Sequence, residues 1–552
     1  MQGVGPSAEL GGRLRVPMKS ANNKLKVGIA LIVVGVSVAL GFIVFAQRRS
    51  NPAQTRPRRT VSGSGEIVLK AGDDLQEAIK NARFGDTIML EAGATFMGPI
   101  TLLDKGAGSG TDADYITIRT ANLSGISGEG ERIKPDSTMA KIVARSSAAL
   151  STQEKAHHYK FIGVEFAPSQ NSDYVYNLID LGASDYKTTS QFPHHLVFDR
   201  CYVHSTGLNK ARRGFALNSG ETSIINSYVS GFAGAGDETQ AIAGWNGPGP
   251  FHIINNYLEG AGEVLLFGGS DPSIQGLVPS DIEIRNNFFH KRAEWAGRAT
   301  IKGTFELKNA KRVVVDGNII DTGIHVTAFV ITVRNQSGGA PWSTIEDVQI
   351  VNNIVRHAST GINILGSDDA HPSQEAKRIS VINNLFLDLV SPGDNAFFLQ
   401  TNGAESVTIS HNTVQQAGNI ISSYGSPTRN FSFINNIVQY NSYGIVCFTQ
   451  VGSCRESAFC RCFPNATVKG NVIADNANAA AASPIEDNFP LGNFFVPSYE
   501  KIGFINHAGG NWQLNPTSGI RKRATDGKDP GVEFNLLNSS GVNSATDGGV
   551  PK

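Results

Sequence analysis

Along most of the chain, a few alternating apolar residues run into Asn-Asn or a near variant, and another short apolar stretch follows at once. The clearest copies are IINNY at 253 to 257, IRNNF at 284 to 288, IVNNI at 350 to 354, VINNL at 381 to 385 and FINNI at 433 to 437. Looser copies stand at 224 to 228, 315 to 319, 409 to 413 and 468 to 472. The second residue of each pair falls at 227, 256, 287, 318, 353, 384, 412, 436 and 471, so successive copies are 24 to 35 residues apart. A drifting period of this size in strand-type residues, with no helical pattern between copies, predicts a solenoid of β-coils.

The chemistry of asparagine fits that role. Strands of period two carry the chain along a flat face, and the chain must then turn sharply while staying within the coil. Asparagine enters the left-handed region more readily than other non-glycine residues, so it can make the corner. Its amide can also hydrogen-bond from coil to coil as a ladder. The insertions between copies differ in length, which on a solenoid places the extra residues in loops.

The pattern changes at both ends. Residues 73 to 82, DDLQEAIKNA, predict a short amphipathic helix with Leu75, Ala78, Ile79 and Ala82 on one side, and GDTIML at 85 to 90 predicts a strand entered by a tight turn. A helix leading into a first strand suits a terminal cap, because an open solenoid end exposes apolar core and unpaired strand edge. The expected organisation is a basic N-terminal segment at 1–26, an apolar segment at 27–46, a flexible linker at 47–65, the β-solenoid at 66–480 and a C-terminal capping segment at 481–552. The last of these is expected to cover the final coil.

Residues 27 to 46 are twenty apolar or small residues without a charge, enough to cross a bilayer as a helix. They predict a single membrane anchor, with cleavage as a signal peptide as the alternative. The expected location is a bacterial-type cell envelope, anchored and facing the periplasm or exterior, or secreted if the segment is cleaved. Composition narrows the partners. Sixty glycines in 552 residues, 17% charged residues and a formal net charge of zero give no basic face for nucleic acid. A monomer is expected.

Of the five cysteines, Cys447, Cys454, Cys460 and Cys462 cluster late in the chain. Their spacing lacks two CxxC knuckles, which favours disulfides across a protruding loop over a zinc site. Cys201 reads as a buried core thiol.

The cap helix, the GDTI phrase and the Asn-Asn corners resemble the right-handed parallel β-helix proteins of the pectate-lyase superfamily. The phrase at 524 to 532, ATDGKDPGV, resembles a segment that often ends bacterial members. The resemblance covers about residues 66 to 535 and implies an all-β right-handed parallel β-helix. It leaves activity open, since the superfamily holds lyases, hydrolases, epimerases and non-catalytic adhesins.

Alternation after the corners then suggests a site. In TFELK at 304 to 308, Phe305 and Leu307 point inward and Glu306 and Lys308 outward; one coil on, Thr332 and Arg334 are outward, and in the next coil Asn363. In register, Lys308 and Arg334 become neighbours, with Glu306, Asn363 and the turn Asp368-Asp369 nearby. β-Elimination from a uronate needs a base for the proton beside the carboxylate and a cation for the resulting enolate. A Lys beside an Arg can serve, as the resemblance to chondroitinase-B-like and alginate-lyase-like members implies, with calcium-binding carboxylates alongside. The segment at 255 to 264 is similar to one preceding the site in those enzymes. The resemblance thus implies Glu263 as a calcium ligand or a support for the Lys, and Asp368 and Asp369 are further acidic candidates for calcium.

The expected function is binding, with cleavage by β-elimination, of an acidic polysaccharide. A hydrolase using Asp237-Glu238 or Asp368-Asp369 is one alternative, and a non-catalytic, adhesive glycan-binding solenoid is another. Trp245, Trp295 and Trp342 lie in or near inter-coil loops, where they can stack on sugar rings or cap apolar patches. In His157-His158 and His194-His195, strand alternation is expected to point the two members of each pair to opposite faces, which argues against one shared metal.

Overall fold

The computed structural model describes residues 65–391, 396–448, 458–475 and 489–537. The strands form three long parallel sheets of 14, 14 and 12 members, each strand pairing with its counterpart one coil away. This is a right-handed parallel β-helix.

One coil shows the plan. Ser280–Arg285 lies in the first sheet, Asn286 and Asn287 make the corner, Phe288–His290 lies in the second sheet, and Phe305–Leu307 in the third, before Ala310–Asp316 re-enters the first. Inward residues stack in columns: Phe251, Ile282, Val313, Val348, Ile379 and Val407 follow one another in register and are all fully buried. Each such side chain contributes roughly 1.5–3 kcal/mol by leaving water.

The two residues of each corner divide the work. The first takes the left-handed conformation: φ is +56° at Asn255 and Asn286, +58° at Asn352, +59° at Asn383 and Asn435, and +54° at His411. Glycine fills the same place at Gly317 and Gly470. The second residue is buried and builds the ladder. The Asn287 amide N–H and Nδ2 both donate to Asn318 Oδ1, at 2.9 and 3.0 Å, and Nδ2 also reaches back to Ile253 O at 2.8 Å. The same bonds recur from Asn256 through Asn471 to Asn493.

At the N-terminal end, Asp74 caps the helix Leu75–Asn81 by accepting from the Glu77 N–H at 2.9 Å, and Leu75, Ala78 and Ile79 are buried against the first coils. The final piece of chain spreads from the last coil back along the outer face of the second sheet. Tyr499, Ile502 and Trp512 pack with Leu385, Ile437 and Val472. Corner side chains hold the following stretch: Thr525 N donates to Asn435 Oδ1 at 2.8 Å, and Glu533 N to Asn383 Oδ1 at 2.6 Å.

Cys447 and Cys462 form a disulfide, which removes both as zinc ligands. Cys454 lies outside the described residues, and Cys460 falls in the short helix Ala458–Cys462. Cys201 is a free, buried thiol. Residues 27 to 46 also lie outside the described residues; among those described, no helix is long and apolar enough to cross a membrane.

Alternation fails at the histidines. His158 and His195 have φ of +57° and +52°, so both rings of each pair lie on one side, with Nδ1 atoms 2.6 and 2.7 Å apart. The pairs stack across coils, with ring centroids 5.0 Å apart for His157 and His194 and 4.4 Å for His158 and His195.

Candidate active site on the third sheet

The outer face of the third sheet carries a continuous line of polar contacts. Asn177, Arg213 and Gln240 pair in register on consecutive coils, and Glu263 stands at the next position, just before the strand Leu265–Phe267. Arg213 Nε donates to Gln240 Oε1 at 2.8 Å, and Gln240 Nε2 donates to Glu263 Oε2 at 2.7 Å. The Arg213 guanidinium also lies 5.1 Å from the ring centroids of both Tyr176 and Trp245, while Arg212 covers Tyr176 at 4.7 Å. Trp245 is thus part of an arginine–aromatic platform next to the acidic residues.

One coil beyond Glu263 lies Glu306, and the two carboxyl groups are hydrogen-bonded. Both are buried. As two carboxylates they would leave Glu263 Oε1 in the interior without a donor; a proton on Glu306 supplies one. Glu306 Oε1 faces Lys308 Nζ at 3.7 Å and accepts from Thr332 Oγ1 at 3.5 Å. Burial pushes the Glu306 carboxyl up to about 7, the Glu263 charge adds to the shift, and Lys308 opposes it. Burial also works to raise Glu263, but the bonds from Gln240 and Glu306 and the charge of Lys308 outweigh it and hold this carboxyl below its ordinary value. Two like groups in one dry site have been driven apart into an acid and a carboxylate. Lys302 flanks the pair, bridging to Glu238 and standing 4.0 Å from Glu263 Oε1.

Of the other residues picked from the sequence, Asn363 stands two coils from Glu306 in the same outward column, and its Oδ1 is buried without a partner. Arg334 is the neighbour of Lys308 that the register predicts, its N–H donating to Lys308 O at 2.9 Å, but its guanidinium is engaged by the Asp368-Asp369 turn. Its Nη1 bonds Asp368 at 3.0 Å and also contacts Asp369, and Asp368 further accepts from the Asn335 and Ala370 N–H groups at 2.7 and 2.9 Å. Arg334 therefore staples a turn, and Lys308 has Glu306 as its ionic partner. Arg334→Ala leaves Asp368 buried without its cation and is expected to lower stability by about 2 kcal/mol, measured from the urea midpoint. Trp295 is buried against Ala233 and Ala261, so it has no face for a sugar. Trp342 is half-buried and donates Nε1–H to Leu277 O at 3.0 Å. Asp237 accepts from Tyr174 Oη at 2.5 Å.

Calcium takes six to eight oxygens at 2.3–2.6 Å. Among the described residues no group of three or more His, Cys, Asp and Glu side chains is placed to hold a metal ion. Glu263 and the Asp368-Asp369 turn lie on opposite edges of the third sheet, three coils apart, and cannot share one ion. Near Glu263, the oxygens of Gln240 and of the bend at 260 to 262 already accept from Arg213 and from Lys291, and two lysines flank the pair. The residues present do not fit calcium.

The fold finds counterparts among solved structures. The alginate lyase AlyGC of family PL6 matches with a TM-score of 0.53 and 14% identity, over 86% of this chain and 57% of that one. A mannuronic acid specific family 6 lyase from human gut microbiota matches at 0.44 and 12%, over 87% and 99% of the two chains. The A-module of the Azotobacter vinelandii mannuronan C-5 epimerase AlgE6 matches at 0.41 and 11%, over 73% and 95%. The likeness is one of fold. No family model matches the chain, and no curated protein does.

Lys291, Arg213, Gln240 and Lys302 were not singled out from the sequence. For Arg213 alternation misleads, since Phe215 and Leu217 point inward and would put it in the core; Gly214 faces the core residues Val229 and Phe232 as well, and that break in the period leaves Arg213 on the outer face.

Proposed function

We propose that the third-sheet face binds an acidic polysaccharide and cleaves it by β-elimination at Glu306. The observation that carries this reading is the buried Glu263–Glu306 pair with Lys308 beside it. Lys308 neutralises the uronate carboxylate and stabilises the enolate that forms. Ionised Glu306 takes the proton from the carbon beside that carboxylate; a carbon–carbon double bond forms as the glycosidic carbon–oxygen bond breaks, and the proton ends on the leaving oxygen. A carboxyl poised near 7 suits both halves of that transfer. The arginine–aromatic platform on the preceding coils offers charge and ring faces to neighbouring sugars.

A glycosidase mechanism suits the pair less well. Retaining enzymes hold their carboxyl groups about 5–5.5 Å apart and inverting ones about 6.5–9.5 Å apart, whereas these two are in hydrogen-bond contact. The other acidic candidates are engaged by Tyr174, Lys302 and Arg334.

The test is incubation of the purified chain with alginate, pectate and glycosaminoglycans while the absorbance of the unsaturated product is followed. Absorbance should rise on at least one polymer, and Lys308→Ala should reduce the rate about 100-fold or more. New reducing ends without absorbance would point to hydrolysis, and retention of polymer without either product to a binding solenoid.

A further inference from the structure

Lys291 follows the second-sheet strand Phe288–His290 and is fully buried. Its Nζ donates to Gly260 O and Ala261 O, both at 2.9 Å, and to Gly262 O. All three ammonium protons are thereby spent on carbonyls of a single bend in the preceding coil. That bend runs directly into Glu263. It is also held from the other side, since a Cβ on Gly262 would lie 2.7 Å from both Thr239 N and Thr239 O, and one on Gly260 would lie 2.7 Å from Glu263 O. Successive carbonyls converging on one cation is how a loop binds a metal ion, and here the cation is a side chain.

We propose that Lys291 is the resident cation of this site, fixing the bend at 260 to 262 in place of a divalent ion and so setting where the Glu263 carboxylate stands against Glu306. It is a positioning residue: its ammonium is turned to the backbone and sealed from the outer face. Its charge also favours the Glu263 carboxylate electrostatically, while burial pulls its own pKa down to about 7. The reading rests on the proposed role of the pair only in its activity arm.

The experiment compares wild type, Lys291→Met and Lys291→Arg as full chains, by melting temperature across pH with calcium or with excess EDTA, and by crystal structure. Wild type should melt at the same temperature in both additives. In Lys291→Met the Gln240–Glu263 bond should open, and the pH at which the carboxyl pair titrates should rise by about one unit, because a cation favouring the carboxylate has gone. Lys291→Arg should restore part of that shift, and calcium should restore none of it. A Lys291→Met protein that keeps the wild-type bend and titration, or a wild type that loses stability in EDTA, would overturn the inference.

If Lys291→Met does not fold, Gly262→Ala displaces the same bend with the lysine present and should move the titration in the same direction; an unmoved titration counts against the proposal. Where an unsaturated product is made, its pH profile should shift with the melting curve. A wild type that cleaves no polymer would remove the lyase reading and leave the melting and titration results standing.

Discussion

Asn353→Ala is expected to destabilise the protein by about 5 kcal/mol, because several buried groups lose their partners together. Asn353 Oδ1 accepts from the Asn318 amide N–H and from Asn318 Nδ2, both at 2.9 Å. Its Nδ2 donates to Asn384 Oδ1, Val315 O and Val351 O, all at 2.9 Å. Alanine leaves donors of Asn318 and the Val315 carbonyl facing a dry gap that is too small and too enclosed to rehydrate well. The neighbouring corner position behaves differently. Asn286 is exposed at φ +56°, so Asn286→Ala is expected to cost only about 1 kcal/mol of left-handed strain, and Asn286→Gly close to nothing. Urea midpoints of the three variants decide the matter. Equal losses at Asn353 and Asn286 would mean that the ladder adds little to the corner. Because each coil touches mainly its neighbours, the Asn353 loss is also expected to split the unfolding transition.

That contrast shows what was legible in the sequence. The Asn-Asn repeat announces the coil because both of its jobs, a left-handed turn and an amide ladder, select the residue type directly. Inward and outward faces follow from alternation, which correctly set Glu306 and Lys308 together outside Phe305 and Leu307. Alternation stops being a guide where the strand ends. Thr327–Thr332 closes before Arg334, whose side chain therefore follows the turn toward Asp368 on the next coil. His158 and His195 break it by adopting positive φ without the asparagine or glycine that usually marks such a place. Trp295 sits in the short helix Ala293–Trp295, whose inward turn over Ala261 has no period to betray it. Lys291 is concealed most thoroughly, since a lysine after a strand ordinarily signals the surface, and only the convergence of three carbonyls accounts for its burial.

Glu306→Gln is expected to abolish turnover and, above neutral pH, to raise stability. In wild type, burial lifts the Glu306 carboxyl from an ordinary 4.5 to about 7, so the folded protein holds a proton there that the unfolded chain has released. The stability this contributes is fully present below about 4.5 and is lost as the pH rises through 7, by about 3 kcal/mol in total. Glutamine cannot ionise, and its Nε2–H can still donate to Glu263 Oε1, the oxygen that otherwise has no donor. The variant's melting temperature should therefore change little between pH 5 and 8, where the wild type's falls, and the two curves should separate most at the alkaline end. Turnover should drop about 100-fold or more, since the amide can neither take nor return a proton. Parallel melting curves would show that Glu306 is already ionised at pH 5. A Gln variant that keeps its rate would move the acid–base role to another residue even if the curves diverge. The opposing signs distinguish a carboxyl kept buried for its acid–base role from one that holds the fold together, because a purely structural carboxyl should lose stability when replaced.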